Sequence, residues 1–214
     1  MKIIPAILEK DFDSVKSLID TYSKISVSIQ IDVCDGIFVE NKTWKPNPFE
    51  DINGYLLDLE FDMMVEDVLK YLDFLSMYDA KKIVVHTNNI EVEDFKLIYQ
   101  KIKDKNSLFE IGICDNDINK IKSLKGFYDY VQLMGIKNVG QQGQSFDDEV
   151  LNSIKELREF VGADALIQID GAMTKETIKL AKEAGANCFV VGSYLKNSIK
   201  DKNLKETFLE LKSL

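Results

Sequence analysis

Several residue types are scarce in this 214-residue sequence, which contains one histidine, one tryptophan, three prolines and three cysteines. The cysteines, Cys34, Cys114 and Cys188, are odd in number and lack metal-finger spacing, so neither a disulfide scaffold nor a zinc finger is indicated. No apolar run approaches the roughly 20 residues that cross a bilayer, and Met1–Pro5 is too short for a signal peptide. We therefore expect a cytoplasmic protein with reduced thiols.

Positively charged residues are also few relative to negatively charged ones. The sequence has 27 lysines and arginines and 36 aspartates and glutamates, which gives a net charge of -9. This balance argues against general nucleic-acid binding and against anionic membrane surfaces. It leaves an anionic small molecule open as a substrate, because the local field of a site can oppose the overall sign. The sequence has no linker-like or low-complexity tract, and its length suits one domain over residues 1–214.

Short apolar strands alternate with amphipathic helices, and this alternation predicts a parallel sheet covered by helices. The predicted strands are Lys2–Leu8, Ser28–Asp35, Asp58–Val65, Lys82–Thr87, Leu108–Asp115, Tyr128–Gly135, Ala165–Gly171 and Cys188–Leu195. A weak helix over Phe49–Leu57 and a last helix over Leu204–Leu211 complete eight strand–helix units. Eight units indicate an α/β protein with a (β/α)8 TIM barrel. A doubly wound open sheet is less favoured, because no G-x-G-x-x-G motif follows the first strand.

The stretch from Ser28 to Gly36 places polar side chains on one face of a buried strand. Gln30 and Asp32 alternate with apolar residues, so the period-2 pattern points both into the space that the sheet encloses. A carboxylate there is costly unless it is paired, hydrogen-bonded or bound to a metal ion. The active site of a TIM barrel lies where its strands end. Other candidate side chains at predicted strand ends are Asp35, Asp62, Met64, His86, Cys114, Asp115, Met134 and Asp170.

The segment Ile31–Asn41 resembles the second-strand motif of the ribulose-phosphate 3-epimerase family. Further pieces that resemble this family, in the same order along nearly the whole chain, are Pro5–Leu8, Met64–Glu66, Val85–His86, Asn138–Phe146, Ile167–Gly171 and Val191–Ser193. The resemblance implies a single barrel of the ribulose-phosphate-binding type. It also implies epimerisation at C3 of a phosphorylated ketose: ribulose 5-phosphate, or a related pentulose or hexulose phosphate.

The resemblance also implies roles for individual residues. Asp32 and Asp170 would exchange the C3 proton on opposite faces of an enediolate, which a divalent metal ion stabilises in this family. Met64 and Met134 would form an apolar lid over this intermediate, together with Cys34, which stands where the family has a methionine. Backbone N–H groups would bind the phosphate. The residues implied there are Gly140, Gln141, Gln142, Gly143, Gly171, Ala172, Gly192 and Ser193.

The expected metal site departs from the family. The family uses two aspartates and two histidines, and at the histidine positions this sequence has Gln30 and Asp62. If Asp32, Asp62, Asp170 and the Gln30 amide converge, they form an all-oxygen ligand set. Such a set suits Mg²⁺ or Mn²⁺ better than Zn²⁺, for which imidazole is a favoured ligand. The sole histidine, His86, is expected to orient a neighbouring side chain.

Two alternatives to an epimerase stay open. The changed ligands are compatible with a barrel that has lost its metal and binds a sugar phosphate without catalysis. A hexulose-phosphate synthase or decarboxylase type is the other alternative, but such enzymes rely on a lysine between two aspartates at a strand end. The third predicted strand ends in Glu60–Met64 and has no lysine there. The partners expected are a phosphorylated ketose and, as is usual in the family, further copies of the chain.

Overall fold

Eight parallel strands pair in sequence order, and the last also pairs with the first, so the sheet closes into a barrel. The computed structural model describes residues 1–52, 54–78 and 80–214. The strands are β1 Lys2–Ile7, β2 Ser28–Cys34, β3 Asp58–Met64, β4 Lys82–His86, β5 Glu110–Cys114, β6 Tyr130–Met134, β7 Ile167–Asp170 and β8 Cys188–Val191. The helices are α1 Phe12–Tyr22, α2 Leu72–Met77, α3 Val92–Lys105, α4 Ile118–Ser123, α5 Val150–Val161, α6 Lys175–Ala184, α7 Ser193–Lys200 and α8 Leu204–Lys212. The predicted TIM barrel is confirmed.

Across the part of the chain that the structure describes, no helix combines the length and the apolar character that a membrane span requires.

The sequence pattern places the end of the eighth strand too late. β8 stops at Val191, and α7 begins at Ser193, inside the predicted strand Cys188–Leu195. Gly192 separates the two elements and caps α7. A short apolar run fits either a strand or a turn of buried helix, and here Leu195 is buried as part of α7.

The predicted weak helix over Phe49–Leu57 is wrong. Residues 49–52 and 54–57 form turns and irregular backbone, while Asn53 lies outside the described residues. The nearby Trp44 ring packs against Tyr78, with centroids 6.0 Å apart, and the Tyr78 hydroxyl donates to the backbone carbonyl of Glu50 at 2.7 Å. These contacts hold the segment on the outside of the barrel, so tertiary packing rather than helix propensity decides its shape.

The two faces of the barrel strands carry different chemistry. Outward-facing side chains such as Ile31, Phe61 and Phe189 are at most 1% exposed and pack beneath the helices. Inward positions of a TIM barrel are usually filled by branched apolar side chains. In this barrel many of them are polar. The buried polar residues that face inward are Gln30, Asp32, Glu60, Asp62, His86, Gln132 and Gln168.

Gly112 of β5 makes room inside the barrel for the ring of Tyr130, because a Cβ at Gly112 would lie 2.5 Å from Tyr130 Cζ. We expect Gly112→Ala to lower the free energy of unfolding by about 1–3 kcal/mol, since the buried ring has to shift. Urea unfolding followed by circular dichroism measures this change. The control is Leu108→Ala, at a position that is 85% exposed, where the change should stay below about 0.5 kcal/mol. Equal stability of Gly112→Ala and the unaltered protein would contradict the prediction.

Candidate active site

Three aspartates converge at the mouth of the barrel. A carboxylate oxygen from each of Asp32, Asp62 and Asp170 lies within 4.8 Å of those from the other two. Asp32 and Asp62 meet because they are paired positions of the neighbouring strands β2 and β3. Asp170 reaches them from β7, across the closed barrel. The structure thus brings together the three carboxylates that the sequence analysis names as metal ligands.

Burial and mutual repulsion disfavour the charged forms of Asp32 and Asp170. Asp32 is 7% exposed, and desolvation together with Asp170 and Asp62 raises its pKa well above the usual range. Desolvation and the neighbouring Asp62 raise the pKa of Asp170 to about 7. A divalent cation between the oxygens would favour the charged forms instead. Three close carboxylates therefore form a group that could hold a divalent cation.

Gln30 is the fourth ligand predicted from the sequence, and both ends of its amide are hydrogen-bonded to neighbouring side chains. Its Nε2 donates to Asp32 Oδ1 at 3.0 Å, and its Oε1 accepts from Gln168 Nε2 at 3.1 Å. In this orientation the amide of Gln30 orients Asp32, and its oxygen is already engaged. Coordination by Gln30 stays a prediction that requires the amide to turn over.

The sole histidine lies directly behind Asp62. His86 Nε2 is 2.7 Å from Asp62 Oδ1, and Gln132 Nε2 donates to Asp62 Oδ2 at 3.0 Å, so both oxygens of this carboxylate are held. His86 is 2% exposed, and its Nδ1 has no hydrogen-bond partner among the described residues. The sequence analysis did not name Gln132. On β6, Gln132 follows the same alternation of inward and outward residues as Gln30 on β2. This pattern in the sequence could have identified it.

A cavity above the carboxylates is lined by the segments that the sequence analysis assigns to phosphate binding. Asp32 and Asp170 form part of its wall. The assigned phosphate residues that also line it are Gly140, Gln141, Gln142, Gly143, Gly171, Ala172, Gly192 and Ser193. The loops after β6, β7 and β8 therefore surround the same space as the two proposed acid–base groups.

The backbone on this side of the cavity turns sharply at the end of β7 and then starts a helix after β8. Gly171 and Ala172 have positive φ values of 99° and 55°. Gly192 precedes α7, whose first N–H groups lack partners within the helix. A Cβ at Gly192 would lie 3.1 Å from Gln142 Nε2, so the missing side chain lets the Gln142 amide approach the start of the helix.

Two of the three predicted lid residues line the cavity. Met64 and Met134 both contribute to its wall. Cys34 is fully buried, with its Sγ 3.9 Å from Met64 Sδ, so it packs behind that methionine. Two thioether side chains therefore add apolar surface beside the carboxylates, and their role as a lid stays a prediction.

Loops from opposite sides of the barrel meet above the site. Asn41, in the loop after β2, donates from Nδ2 to the backbone carbonyl of Gly140 in the loop after β6, at 2.9 Å. A Cβ at Gly140 would lie 2.9 Å from Val39 Cγ2, so this close approach also depends on glycine. The Ile31–Asn41 segment thus extends from β2 to the loop after β6.

Comparison with known proteins agrees with this geometry. The model of the ribulose-phosphate 3 epimerase family matches residues 2–196. A ribulose-phosphate 3-epimerase of Bacillus subtilis (strain 168) is 31% identical over 201 residues, which cover 90% of this chain and 91% of the relative. One of Helicobacter pylori (strain J99) is 29% identical over 210 residues, covering 95% and 94%.

Solved structures share the fold at low sequence identity. KGPDC from Streptococcus mutans, in complex with D-R5P, aligns with a TM-score of 0.73 at 12% identity, covering 99% of this chain and 95% of that one. A 3-hexulose-6-phosphate synthase aligns with a TM-score of 0.69 at 14% identity, covering 100% and 99%. These two likenesses concern the barrel alone. On its sequence match, the chain belongs to the ribulose-phosphate 3-epimerase family, whose members are isomerases that act on carbohydrate phosphates.

Proposed function

We propose that this enzyme inverts the configuration at C3 of a ketose phosphate, with ribulose 5-phosphate as the first substrate to test. The observation that carries the proposal is that Asp32 on β2 and Asp170 on β7 both line one cavity. Inversion by proton exchange needs an acid and a base on opposite faces of a planar intermediate. Two carboxyls from separate parts of the barrel wall meet that requirement.

The raised pKa values of this pair suit the two roles. In the metal-free site, burial and repulsion raise the pKa of both carboxyls, and the ion proposed below would offset part of this rise, so that one carboxyl is protonated and one is charged near neutral pH. The charged group removes the C3 proton, and the C–H electron pair moves into the C2–C3 bond as the C2 carbonyl becomes an enediolate. The protonated group then delivers its proton to C3 from the other face, and the C2 carbonyl forms again. After one turnover Asp32 and Asp170 have exchanged roles.

We further propose that Asp32, Asp62 and Asp170 hold a divalent ion, with Mg²⁺ or Mn²⁺ favoured over Zn²⁺. Such an ion would supply positive charge beside the developing enediolate oxygens. His86 and Gln132 keep the Asp62 carboxylate in place for this task, since each holds one of its oxygens. A sugar-phosphate binder without catalysis would have no need for three carboxylates at such close range.

Two other parts of the cavity complete the proposal. The N–H groups around Gly171, Ala172 and Gly192 bind the phosphate, which fixes C3 relative to the carboxyls. Met64 and Met134 exclude water from the intermediate, so its proton comes from the carboxyl and not from solvent.

Proton exchange in D2O tests the reaction. We expect the protein with Mg²⁺ or Mn²⁺ to convert ribulose 5-phosphate into xylulose 5-phosphate with deuterium at C3, followed by NMR. Asp32→Asn and Asp170→Asn should each lower the rate by about 10²–10⁴-fold, because each removes one proton-transfer group.

The control for this experiment is Asp115→Asn. Asp115 is a buried strand-end acid that accepts hydrogen bonds from the Thr87 hydroxyl at 2.7 Å and the Asp117 N–H at 2.9 Å. Its loss should leave the rate within about threefold, since its hydrogen bonds hold the loops after β4 and β5 and it does not line the cavity. Absence of turnover and of C3 labelling with every added metal would rule out the pentulose phosphate as substrate.

The raised pKa of Asp170 predicts a pH dependence of stability in metal-free protein. With a pKa of about 7 in the folded state against 3.8 as its model value, Asp170 binds more protons folded than unfolded between these limits. The free energy of unfolding should therefore fall as pH rises from about 4 to 7, by about 4 kcal/mol, and level off above. Thermal unfolding with a chelator present measures this. Asp170→Asn should flatten the slope, and an unchanged slope would contradict the assignment.

A further inference from the structure

One buried amide lies at the centre of the polar side chains inside the barrel. Gln168 of β7 is fully buried, and its Nε2 is 2.6 Å from Glu60 Oε1, 2.7 Å from Gln132 Oε1 and 3.1 Å from Gln30 Oε1. The NH₂ group carries two hydrogens, so these three acceptors share them. Four strands, β2, β3, β6 and β7, are thereby connected through a single nitrogen.

Two branches lead from this nitrogen to the carboxylates of the site. In one branch, Gln30 accepts from Gln168 and donates to Asp32 at 3.0 Å. In the other, Gln132 accepts from Gln168 and donates to Asp62 at 3.0 Å. Each intermediate amide has its oxygen toward Gln168 and its NH₂ group toward a carboxylate. The orientation of both branches therefore depends on Gln168 acting as the donor.

Other contacts fix the central amide in this direction. Gln168 Oε1 accepts the Cys188 thiol at 3.1 Å, which leaves the NH₂ group to face the three oxygens. Glu60 is held from its other side by the Tyr130 hydroxyl, at 2.7 Å from Oε2. A reversed Gln168 would place its oxygen against three other oxygens. Both Gln30 and Gln132 would then have to turn, and their oxygens would face Asp32 and Asp62.

Packing alone does not require this arrangement. The inward layers of such a barrel are ordinarily filled with branched apolar side chains, and burying amides in their place is unfavourable unless every group is paired. We propose that Gln168 is a positioning residue, which places Asp32 and Asp62 for metal binding and proton transfer through the amides of Gln30 and Gln132. This inference rests on the proposed function for its consequence in catalysis, while the hydrogen-bond connection itself is independent of it.

The first test uses metal-free protein and no substrate. We expect the side-chain NH₂ groups of Gln30 and Gln132 to exchange slowly with solvent in NMR spectra of the labelled protein. Gln168→Met, which keeps the length of the side chain and removes its donor, should speed both exchanges at least tenfold. The control is Ile4→Val, in the apolar cluster inside the same barrel, where neither exchange should change by more than about threefold.

A variant that interrupts only one branch distinguishes a specific effect on the hydrogen-bonded path from a general increase in motion of the barrel interior. Gln132→Leu interrupts only the path to Asp62, so the Gln30 amide should keep its slow exchange. If Gln168→Met does not fold, this variant still tests the network. Faster exchange at Gln30 in Gln132→Leu, or in Ile4→Val, would overturn the proposal in favour of a nonspecific effect.

The second test measures metal affinity and catalytic rate at the site. Titration with Mn²⁺, followed by electron paramagnetic resonance, should show affinity about 10–100-fold weaker in Gln168→Met than in the unaltered protein. With substrate, the same variant should lose kcat by a similar factor while KM stays within about threefold, because the Gln168 side chain is not among the residues that line the cavity assigned to the phosphate. Unchanged Mn²⁺ affinity together with unchanged amide exchange would refute the role of Gln168. Failure of epimerisation in the unaltered protein, with the exchange results as expected, would refute the proposed function and leave the network standing.

Discussion

Mutual repulsion among three carboxylates, in a place that water hardly reaches, is the constraint on which the rest of this structure depends. Asp32, Asp62 and Asp170 lie within 4.8 Å of one another, and burial raises the pKa of Asp32 and of Asp170. Such a cluster is unstable unless a proton or a cation compensates its charge. The same instability makes it useful, since it favours one protonated and one charged carboxyl or the tight binding of a divalent ion.

The barrel tolerates this cluster because its stability comes mainly from the other face of the strands. Outward-facing side chains such as Ile31, Phe61 and Phe189 form the continuous apolar core beneath the helices. The inside is therefore free to carry amides and carboxyls, provided that they are hydrogen-bonded to each other. Gln168 and Glu60 satisfy that condition in the layer below the carboxylates.

The Asp62 carboxylate is held by side chains from two other strands. His86 and Gln132 bind its two oxygens at 2.7 and 3.0 Å. A carboxylate is only as well placed as the groups that orient it. Asp62 and its supporting side chains are therefore best understood as one unit, which spans β3, β4 and β6.

The sequence by itself determined the barrel, because alternation of strands and helices is a local pattern, and it identified Asp32 and Asp170 through motifs at strand ends. It also placed Asp62 at the site by position. It misjudged the segment 49–57 and the end of the eighth strand, where packing of Tyr78 and of Leu195 overrides local propensity. Only the tertiary structure decided that His86 supports Asp62 and that Gln168 connects the carboxylates through two other amides. The reason is physical: these contacts join residues up to 138 positions apart, and barrel closure alone brings them within hydrogen-bonding distance.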